Sequence, residues 1–229
     1  NIAYGLKLLK TPCLLLSLAG TEDFRRYAQH LNHGLSGVLS VKGMHCAKAN
    51  IITDPNGTQF TAFSPGPEVD KATWATHLQN QPFGSMDIFV CAPFPIPLMQ
   101  SALEITKASN PNIFNLWVPG QYADSMQADE LRIAVKACAL LVGNAHEIDH
   151  IKRTAPGCFT GKSVIETDGA RPVRALLSDG NQRTLPTPAV SPVVDPTGCG
   201  DAFVAGLIPS LLQTFGTLDS VRWEQKINA

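Results

Sequence analysis

Apolar residues along the chain fall into two patterns that alternate. Continuous apolar runs of strand length are found at 13–19, 87–92, 113–118, 139–143 and 163–167. Segments with apolar residues three or four positions apart, which is helical spacing, are found at 97–108, 125–137 and 145–153. Continuous apolar runs are typical of strands buried on both faces of a parallel sheet. The alternation predicts an α/β fold with a mainly parallel sheet flanked by helices.

The sequence predicts helices near both ends of the chain. Ile2, Leu6 and Leu9 share one helical face, and the helix is expected to stop at 11–12. After the strand at 13–19, Thr21 is the predicted N-cap of a second helix. The last predicted helix covers 202–215 and contains an internal proline, Pro209, which we expect to kink it.

Two segments read as β-hairpins. The first joins 51–53 to 58–63 through the turn Asp54-Pro55-Asn56-Gly57. The second joins 173–178 to 182–185 through Asp179-Gly180. The length of 229 residues allows one large domain or two small ones, and we predict a single α/β domain over 1–229 with a small antiparallel β excursion around 38–66.

Composition excludes several classes of function. Lys and Arg total 18 against 19 Asp and Glu, so the net charge of −1 offers no basic surplus for a nucleic-acid backbone. No apolar run approaches the ~20 residues that span a bilayer, so we expect no membrane partner. The six cysteines are widely spaced without a C-x-x-C pair, which predicts free, buried thiols and a cytoplasmic protein.

The sharpest local pattern is Asp-Pro-Thr-Gly-Cys-Gly-Asp-Ala-Phe at 195–203, between a predicted short strand at 193–195 and the last helix. Backbone N–H groups of Gly198, Cys199 and Gly200 at a helix start would form an anion hole. A carboxylate beside that hole, at Asp201, could take a proton from an attacking hydroxyl, so the pattern suits phosphoryl transfer. A glycine-rich turn with an acidic helix start is the structural alternative.

Other polar residues follow neighbouring predicted strands. Asn144 and Glu147 follow the strand 139–143, and Thr167 and Gly169 follow the strand 163–167. Ligands of open α/β sheets bind beyond the carboxyl ends of the strands. The oxygen-bearing pair Asn144 and Glu147, one helical turn apart, suits hydrated Mg²⁺, and it equally suits a helix cap.

These patterns together resemble the ribokinase-like carbohydrate kinases, also called the PfkB family. The segment 195–203 is similar to the family signature D-[TP]-T-G-A-G-D-x-F. Residues 144–147 match its N-x-x-E motif, 167–169 resemble its T-x-G motif, and the hairpin at 51–63 resembles its β lid. Asn1 looks like the Asn that ends its N-terminal glycine-rich signature.

The resemblance implies a three-layer ribokinase-like fold and ATP-dependent phosphorylation of a hydroxyl on a sugar or nucleoside. Asp201 would be the catalytic base, with the anion hole at 198–200 receiving the γ-phosphate. The remaining implied roles are Mg²⁺ positioning through water by Asn144 and Glu147, nucleotide binding by Asn144, Glu147, Thr167, Gly169 and Thr197, and substrate binding by Asn1.

Two segments, 53–66 and 119–121, look closest to the bacterial adenosine-kinase-like branch. Lid strands in this family often pair between subunits, so the resemblance permits a homodimer. Cys199 stands where the family usually has Ala, and we expect thiol reagents to block nucleotide binding there. Pro172 and Pro209 also depart from the family pattern.

The motif positions predict a chain cut at both ends. Asn1 falls at the end of the first signature, and Asp201 lies 229 − 201 = 28 residues before the C-terminus. The alternative function is a catalytically impaired relic or a regulatory nucleotide-binding protein. A vitamin-type kinase on a related fold is a third interpretation. The segment 157–163 looks like a P-loop, but it precedes a strand whereas a P-loop follows one.

Overall fold

The computed structural model describes residues 1–54, 59–190 and 195–215, and the chain divides into two compact units. The first unit contains the described residues of 1–81 and 193–206, and the second contains those of 82–192 and 207–229. The single domain over 1–229 stays a prediction. The turn at 55–58 and the strand residues 193 and 194 lie outside the described residues.

The first unit combines helices with two small sheets. Strands β1 and β2 pair in parallel, and β3 and β4 pair as an antiparallel hairpin in which Lys48 lies opposite Ser64. The hairpin predicted in the excursion is therefore confirmed, whereas the antiparallel character predicted from residue 38 onward is wrong for 38–41, because β2 pairs in parallel with β1. Its elements are α1 (Ile2–Leu8), β1 (Ser17–Gly20), α2 (Phe24–Leu31), a 3₁₀ turn (Leu35–Gly37), β2 (Val38–Val41), β3 (Lys48–Thr53), β4 (Gln59–Ser64) and α3 (Lys71–Gln79).

Local details of this unit differ from the sequence prediction. Strand β1 begins at Ser17 rather than at residue 13, because the backbone before it bonds to a loop: the Leu15 N–H donates to the Gly34 carbonyl at 2.7 Å. The N-cap of α2 is Asp23 rather than Thr21. The Thr21 hydroxyl instead accepts a hydrogen bond from the Gly43 N–H.

Strand β2 and helix α3 were not predicted. Helix α3 carries only two buried residues, Trp74 and Leu78, so its apolar stripe is short. Its start is marked by Asp70, whose carboxylate accepts a hydrogen bond from the Thr73 N–H at 2.8 Å. Asp70 as a possible N-cap was the feature of the sequence that could have predicted α3.

The second unit is built on a six-stranded sheet in the order β10-β9-β8-β7-β6-β5. Strands β5 to β8 are parallel, and β9 and β10 form the predicted antiparallel hairpin. The mainly parallel α/β sheet is thus confirmed. Its elements are a 3₁₀ turn (Phe83–Ser85), β5 (Ile88–Cys91), α4 (Ile96–Ser109), β6 (Phe114–Trp117), a 3₁₀ helix (Gly120–Ser125), α5 (Ala128–Ala137), β7 (Leu140–Asn144), α6 (Ala145–Thr154), β8 (Ser163–Asp168), β9 (Arg171–Leu176) and β10 (Gln182–Leu185).

Helix α5 begins at Ala128, three residues later than predicted, because the 3₁₀ helix precedes it. A capping box between Gln127 and Glu130 fixes that start. The last helix, α7 (Cys199–Phe215), begins three residues earlier than predicted and contains Pro209. Cys199, Gly200 and Asp201 therefore lie in its first turn.

Parallel pairing places the carboxyl ends of β5 to β8 at one edge of the sheet. The core behind this edge includes Trp117 on β6, Leu131 on α5, Leu141 on β7 and Ile148 on α6, all of them buried. In the described part of the chain, no helix has both the length and the apolar character needed to cross a bilayer.

We predict that Leu141→Ala lowers the free energy of unfolding by about 2–5 kcal/mol, because Leu141 is completely buried at the centre of the sheet. Denaturant titration of the purified protein measures this change. Ile133→Ala on α5 is the control, since that side chain is 50% exposed, and we expect a change within about 0.5 kcal/mol. Equal costs for the two substitutions would contradict the assigned core.

Candidate functional site

The glycine turn at the start of α7 takes its shape from Asp195 and Gly198. The Asp195 carboxylate accepts a hydrogen bond from the Thr197 N–H at 2.8 Å, which folds the chain back before the helix. Hydrogen bonds from the Thr197 side chain and backbone hold the Asp195 pKa below its usual value. Gly198 has a φ of +82°, a left-handed conformation that side chains disfavour.

The first turn of α7 leaves backbone donors free. The Cys199 N–H donates to the Pro196 carbonyl at 3.2 Å, and the Ala202 N–H donates to the Gly198 carbonyl at 2.9 Å. Within the described chain, no hydrogen bond is made by the N–H groups of Gly198, Gly200 or Asp201. The free donors thus include two of the three predicted, Gly198 and Gly200, together with Asp201. Unpaired N–H groups at a helix start favour a bound anion.

Asp201 is held by the first residue of the chain. The Asn1 side-chain amide donates from Nδ2 to Asp201 Oδ2 at 2.8 Å. The other carboxylate oxygen, Oδ1, accepts no hydrogen bond from a described residue. The structure therefore brings together the predicted substrate-binding Asn1 and the predicted base, and it leaves one oxygen of that base without a hydrogen-bond partner among the described residues.

Close packing of α1 on the start of α7 produces this contact. A Cβ added to Gly5 would lie 2.6 Å from the Cβ of Ala205, so only glycine permits the approach. Asn1 is the N-cap residue of α1 and is therefore carried to the same end of α7 as Asp201. The sequence analysis missed Gly5, although a glycine inside a helix costs about 0.5–1 kcal/mol and is a signal of such contacts.

Asn144 and Glu147 form a reciprocal cap at the start of α6. The Glu147 N–H donates to Asn144 Oδ1 at 2.9 Å. In return, the Asn144 N–H and Nδ2 donate to Glu147 Oε2 and Oε1 at 3.1 and 2.7 Å. The helix-cap interpretation left open by the sequence is confirmed, and it fixes both side chains at the carboxyl edge of the sheet.

The donor set of this pair fits Mg²⁺ held through water. Glu147 is 7% exposed, and all three side-chain oxygens of the pair already accept a hydrogen bond. Mg²⁺ keeps several waters and takes few protein ligands. Among the described residues, no group of three or more His, Cys, Asp or Glu side chains is arranged to hold a metal ion directly. The Mg²⁺ role of the pair stays a prediction.

Thr167 lies beside Asn144. The two residues are register partners in the β7–β8 ladder, so both are at the carboxyl edge of the sheet. Gly169 follows in the turn between β8 and β9, where Asp168 pairs with Arg171 at 2.9 Å. The structure thus groups Asn144, Glu147 and Thr167 in the second unit, with Gly169 two residues further along.

The segment that looks like a P-loop has a structural role. It immediately precedes β8, at the edge of the sheet opposite Thr167. Lys162 Nζ donates to the carbonyls of Lys136 and Cys138 at 2.8 and 3.0 Å, joining the end of α5 to the start of β8.

All six cysteines are free, as predicted, but only Cys91 and Cys138 are buried, so the predicted burial is wrong for the other four. Burial raises the pKa of Cys91 and Cys138 to about 12. Burial also raises the pKa of the partly buried Cys13, Cys46 and Cys158. Cys199 alone among them is exposed.

Three solved structures with a similar fold are kinases. The chain is similar to a nucleoside kinase of Burkholderia thailandensis in complex with inosine, with a TM-score of 0.77 and 23% identity over 90% of this chain and 69% of that one. A Methanocaldococcus jannaschii nucleoside kinase gives a TM-score of 0.76 and 22% identity over 93% and 71% of the two chains. A Cryptococcus neoformans ribokinase in complex with ADP gives 0.72 and 17% over 91% and 74%. The fold is therefore ribokinase-like.

No curated protein matches the chain in sequence. The model of the pfkB family carbohydrate kinases, in contrast, matches residues 1–223, which includes the glycine turn, the Asn144–Glu147 cap and the β3–β4 hairpin. The chain therefore belongs to the pfkB family of carbohydrate kinases.

Proposed function

We propose that this protein is an ATP-dependent kinase that phosphorylates a hydroxyl of a sugar or nucleoside, with Asp201 as the general base. The observation that carries the proposal is the Asp201 carboxylate, which is oriented by Asn1 through Oδ2 and whose Oδ1 accepts no hydrogen bond from a described residue, beside unpaired N–H groups at the start of α7. A nucleophile-activating carboxylate and an anion site on one helical turn are the two parts that phosphoryl transfer requires.

The chemistry assigns one task to each group. Asp201 accepts the proton of the acceptor hydroxyl. The hydroxyl oxygen of the acceptor forms a bond to the γ-phosphorus of ATP, and the bond between that phosphorus and the oxygen that leaves with ADP breaks. The unpaired N–H groups of Gly198, Gly200 and Asp201 stabilise the charge on the transferred phosphoryl group. Cys199 contributes the turn that presents them, through its hydrogen bond to Pro196.

The second unit supplies the residues proposed for nucleotide and metal. Asn144 and Glu147 would hold Mg²⁺ through water, and Thr167 and Gly169 would border the nucleotide. In the first unit, Thr197 of the glycine turn is also proposed to bind nucleotide. Mg²⁺ bound by Asn144 and Glu147 would neutralise charge on the phosphate oxygens. The rigid reciprocal cap supports this assignment, because it presents fixed oxygens at the edge of the sheet where ligands of α/β folds bind.

A nucleoside acceptor of the adenosine type is the finer proposal. It is supported by the resemblance of 53–66 and 119–121 to the bacterial adenosine-kinase-like branch. Two of the structural relatives are nucleoside kinases, one of them bound to inosine. Ribose is the competing acceptor class, because another relative is a ribokinase. The six free cysteines support a reducing compartment such as the cytoplasm.

The alternative is an impaired relic or a regulatory nucleotide-binding protein. Pro209 inside α7 favours it, because an internal proline removes a helical hydrogen bond. Nucleotide binding without turnover on any sugar or nucleoside would distinguish this alternative from the kinase.

A homodimer through the β3–β4 hairpin is a further part of the proposal. Ile52 and Phe60 are cross-strand partners, and their side chains are 67% and 68% exposed. An apolar pair of this kind on a two-stranded hairpin favours burial against a second copy.

We predict that Asp201→Asn lowers phosphoryl transfer about 10²–10⁴-fold, because the amide cannot take the acceptor's proton. ADP release is measured with adenosine, inosine and ribose as acceptors, and ATP binding is measured separately and should persist. Asp195→Asn is the matched control, since its amide oxygen can still accept from Thr197. Full activity of Asp201→Asn would refute the base.

We predict that Cys199 is the first cysteine alkylated in the native protein, because it is exposed whereas Cys91 and Cys138 are buried with a raised pKa. ATP with Mg²⁺ should slow that reaction, and mass spectrometry of timed samples measures both effects. Cys199→Ala should bind ATP and should resist inhibition by the reagent. An alkylation rate that ATP leaves unchanged would count against a nucleotide at this turn.

We predict that Phe60→Ser weakens self-association, because it removes the exposed aromatic ring that the second copy would cover. Light scattering after size-exclusion chromatography measures the mass as a function of protein concentration. Leu185→Ser, which alters an exposed residue of the β9–β10 hairpin, is the control and should leave the mass unchanged. A monomeric parent protein would remove the basis for a dimer.

A further inference from the structure

The β3–β4 hairpin has little packing of its own. All six residues of β3 are exposed, and Phe60 and Phe63 on β4 are exposed as well. Among the described strands, β3 and β4 pair only with each other. Because a two-stranded hairpin is marginally stable alone in water, its direction depends on the contacts at its base.

The base of the hairpin is pressed against the turn between β1 and α2. The segment 42–46, which leads into β3, crosses Gly20 so closely that a Cβ on Gly20 would lie 2.1 Å from the Met44 carbonyl oxygen. The Glu22 N–H donates to that same carbonyl at 3.1 Å, and the Gly43 N–H donates to the Thr21 hydroxyl at 3.0 Å. The segment is therefore tied to the turn through backbone as well as side-chain groups.

Asp23 makes further contacts between the β1–α2 turn and the hairpin base, and these contacts involve charged groups. It is the N-cap residue of α2, yet its side chain makes no capping hydrogen bond. Instead, Oδ1 accepts from the Cys46 N–H at 2.7 Å, and Oδ2 lies 2.9 Å from Lys48 Nζ and 3.3 Å from His45 Nδ1. The carboxylate thus contacts three residues at the hairpin base, His45, Cys46 and Lys48.

The charge on Asp23 is well supported. The backbone hydrogen bond from Cys46, followed by the ion pair with Lys48, holds the Asp23 pKa far below its usual range. The side chain is only 19% exposed, and it lies at the positive end of the α2 dipole. The carboxylate therefore remains ionised at physiological pH, and the ion pair persists.

We propose that Asp23 is a positioning residue for acceptor binding, because its carboxylate fixes the direction in which the β3–β4 hairpin leaves the β1–α2 turn. The inference rests on the proposed function and on the resemblance of this hairpin to the family's β lid, which lies over the substrate. It assigns a role to a side chain remote from phosphoryl transfer. Loss of the contact should weaken acceptor binding and leave the handling of ATP unchanged.

Three variants separate the contacts. Asp23→Ala removes both the hydrogen bond to Cys46 and the ion pair. Asp23→Asn retains an acceptor for the Cys46 N–H and loses the charge, and Lys48→Met removes the same ion pair from the other side. If the ion pair is the shared cause, the double variant Asp23→Asn/Lys48→Met should be no worse than either single variant.

The control is Asp70→Ala. Asp70 is also an N-cap aspartate in the first unit, but its carboxylate binds Thr73 within its own helix and no residue of the hairpin. A general effect of losing a helix cap would appear in this control. Thermal unfolding of each variant verifies that it is folded before the measurements.

The first readout is independent of activity. Hydrogen exchange of the β3 and β4 backbone amides should be faster in Asp23→Ala than in the parent protein, and unchanged in Asp70→Ala. Unchanged exchange in Asp23→Ala overturns the inference whether or not the chain phosphorylates any acceptor.

The second readout is the division between KM and kcat. In Asp23→Ala the KM for the acceptor should rise about tenfold or more, the size expected for a lost charge-assisted hydrogen bond, while kcat and the KM for ATP stay within about twofold. Asp23→Asn should recover part of the loss. Faster hydrogen exchange with an unchanged KM for the acceptor overturns the positioning role. Absence of turnover in the parent protein refutes the proposed function, and the exchange result then decides by itself whether Asp23 holds the hairpin.

Discussion

The hydrogen bond between Asn1 and Asp201 joins two residues 200 positions apart, and the candidate catalytic geometry depends on it. It exists because α1 packs against the first half of α7 at a distance that only Gly5 allows. Because the Asn1 amide holds Asp201 Oδ2, the same hydrogen bond also sets the direction of Oδ1. A single close contact between helices thereby determines both the orientation of the proposed base and the place of the residue proposed to bind substrate.

The N-terminal ends of three helices, α7, α6 and α2, carry the polar groups on which the proposals depend. At α7 the left-handed Gly198 and the turn at Asp195 leave backbone donors unpaired, which suits an anion. At α6 the reciprocal cap of Asn144 and Glu147 satisfies the donors and presents fixed oxygens instead. At α2 the cap residue Asp23 turns its carboxylate away from its own helix and toward the base of the hairpin. The same structural position is used for three different purposes.

Cap and turn chemistry is local, so much of it could be predicted. The pattern at 195–203 indicated a helix start with an adjacent carboxylate, and Asn144 with Glu147 indicated either a cap or a metal site. Two of the details that failed are positions at which a distant segment competes for a polar group. Strand β1 starts late because Gly34 takes the Leu15 N–H, and Thr21 does not cap α2 because its hydroxyl bonds to Gly43. Neither partner is visible in a short window of sequence.

The sequence by itself determined the alternation of strands and helices, both hairpins, and the residue types at the glycine turn, because these follow from periodicity and from the conformational limits of a few side chains. Only the tertiary structure decided that Asn1 reaches Asp201 and that Asp23 holds the hairpin base. Those contacts arise where packing brings together segments far apart in the chain, and local propensity contains no information about which donor will meet which acceptor there.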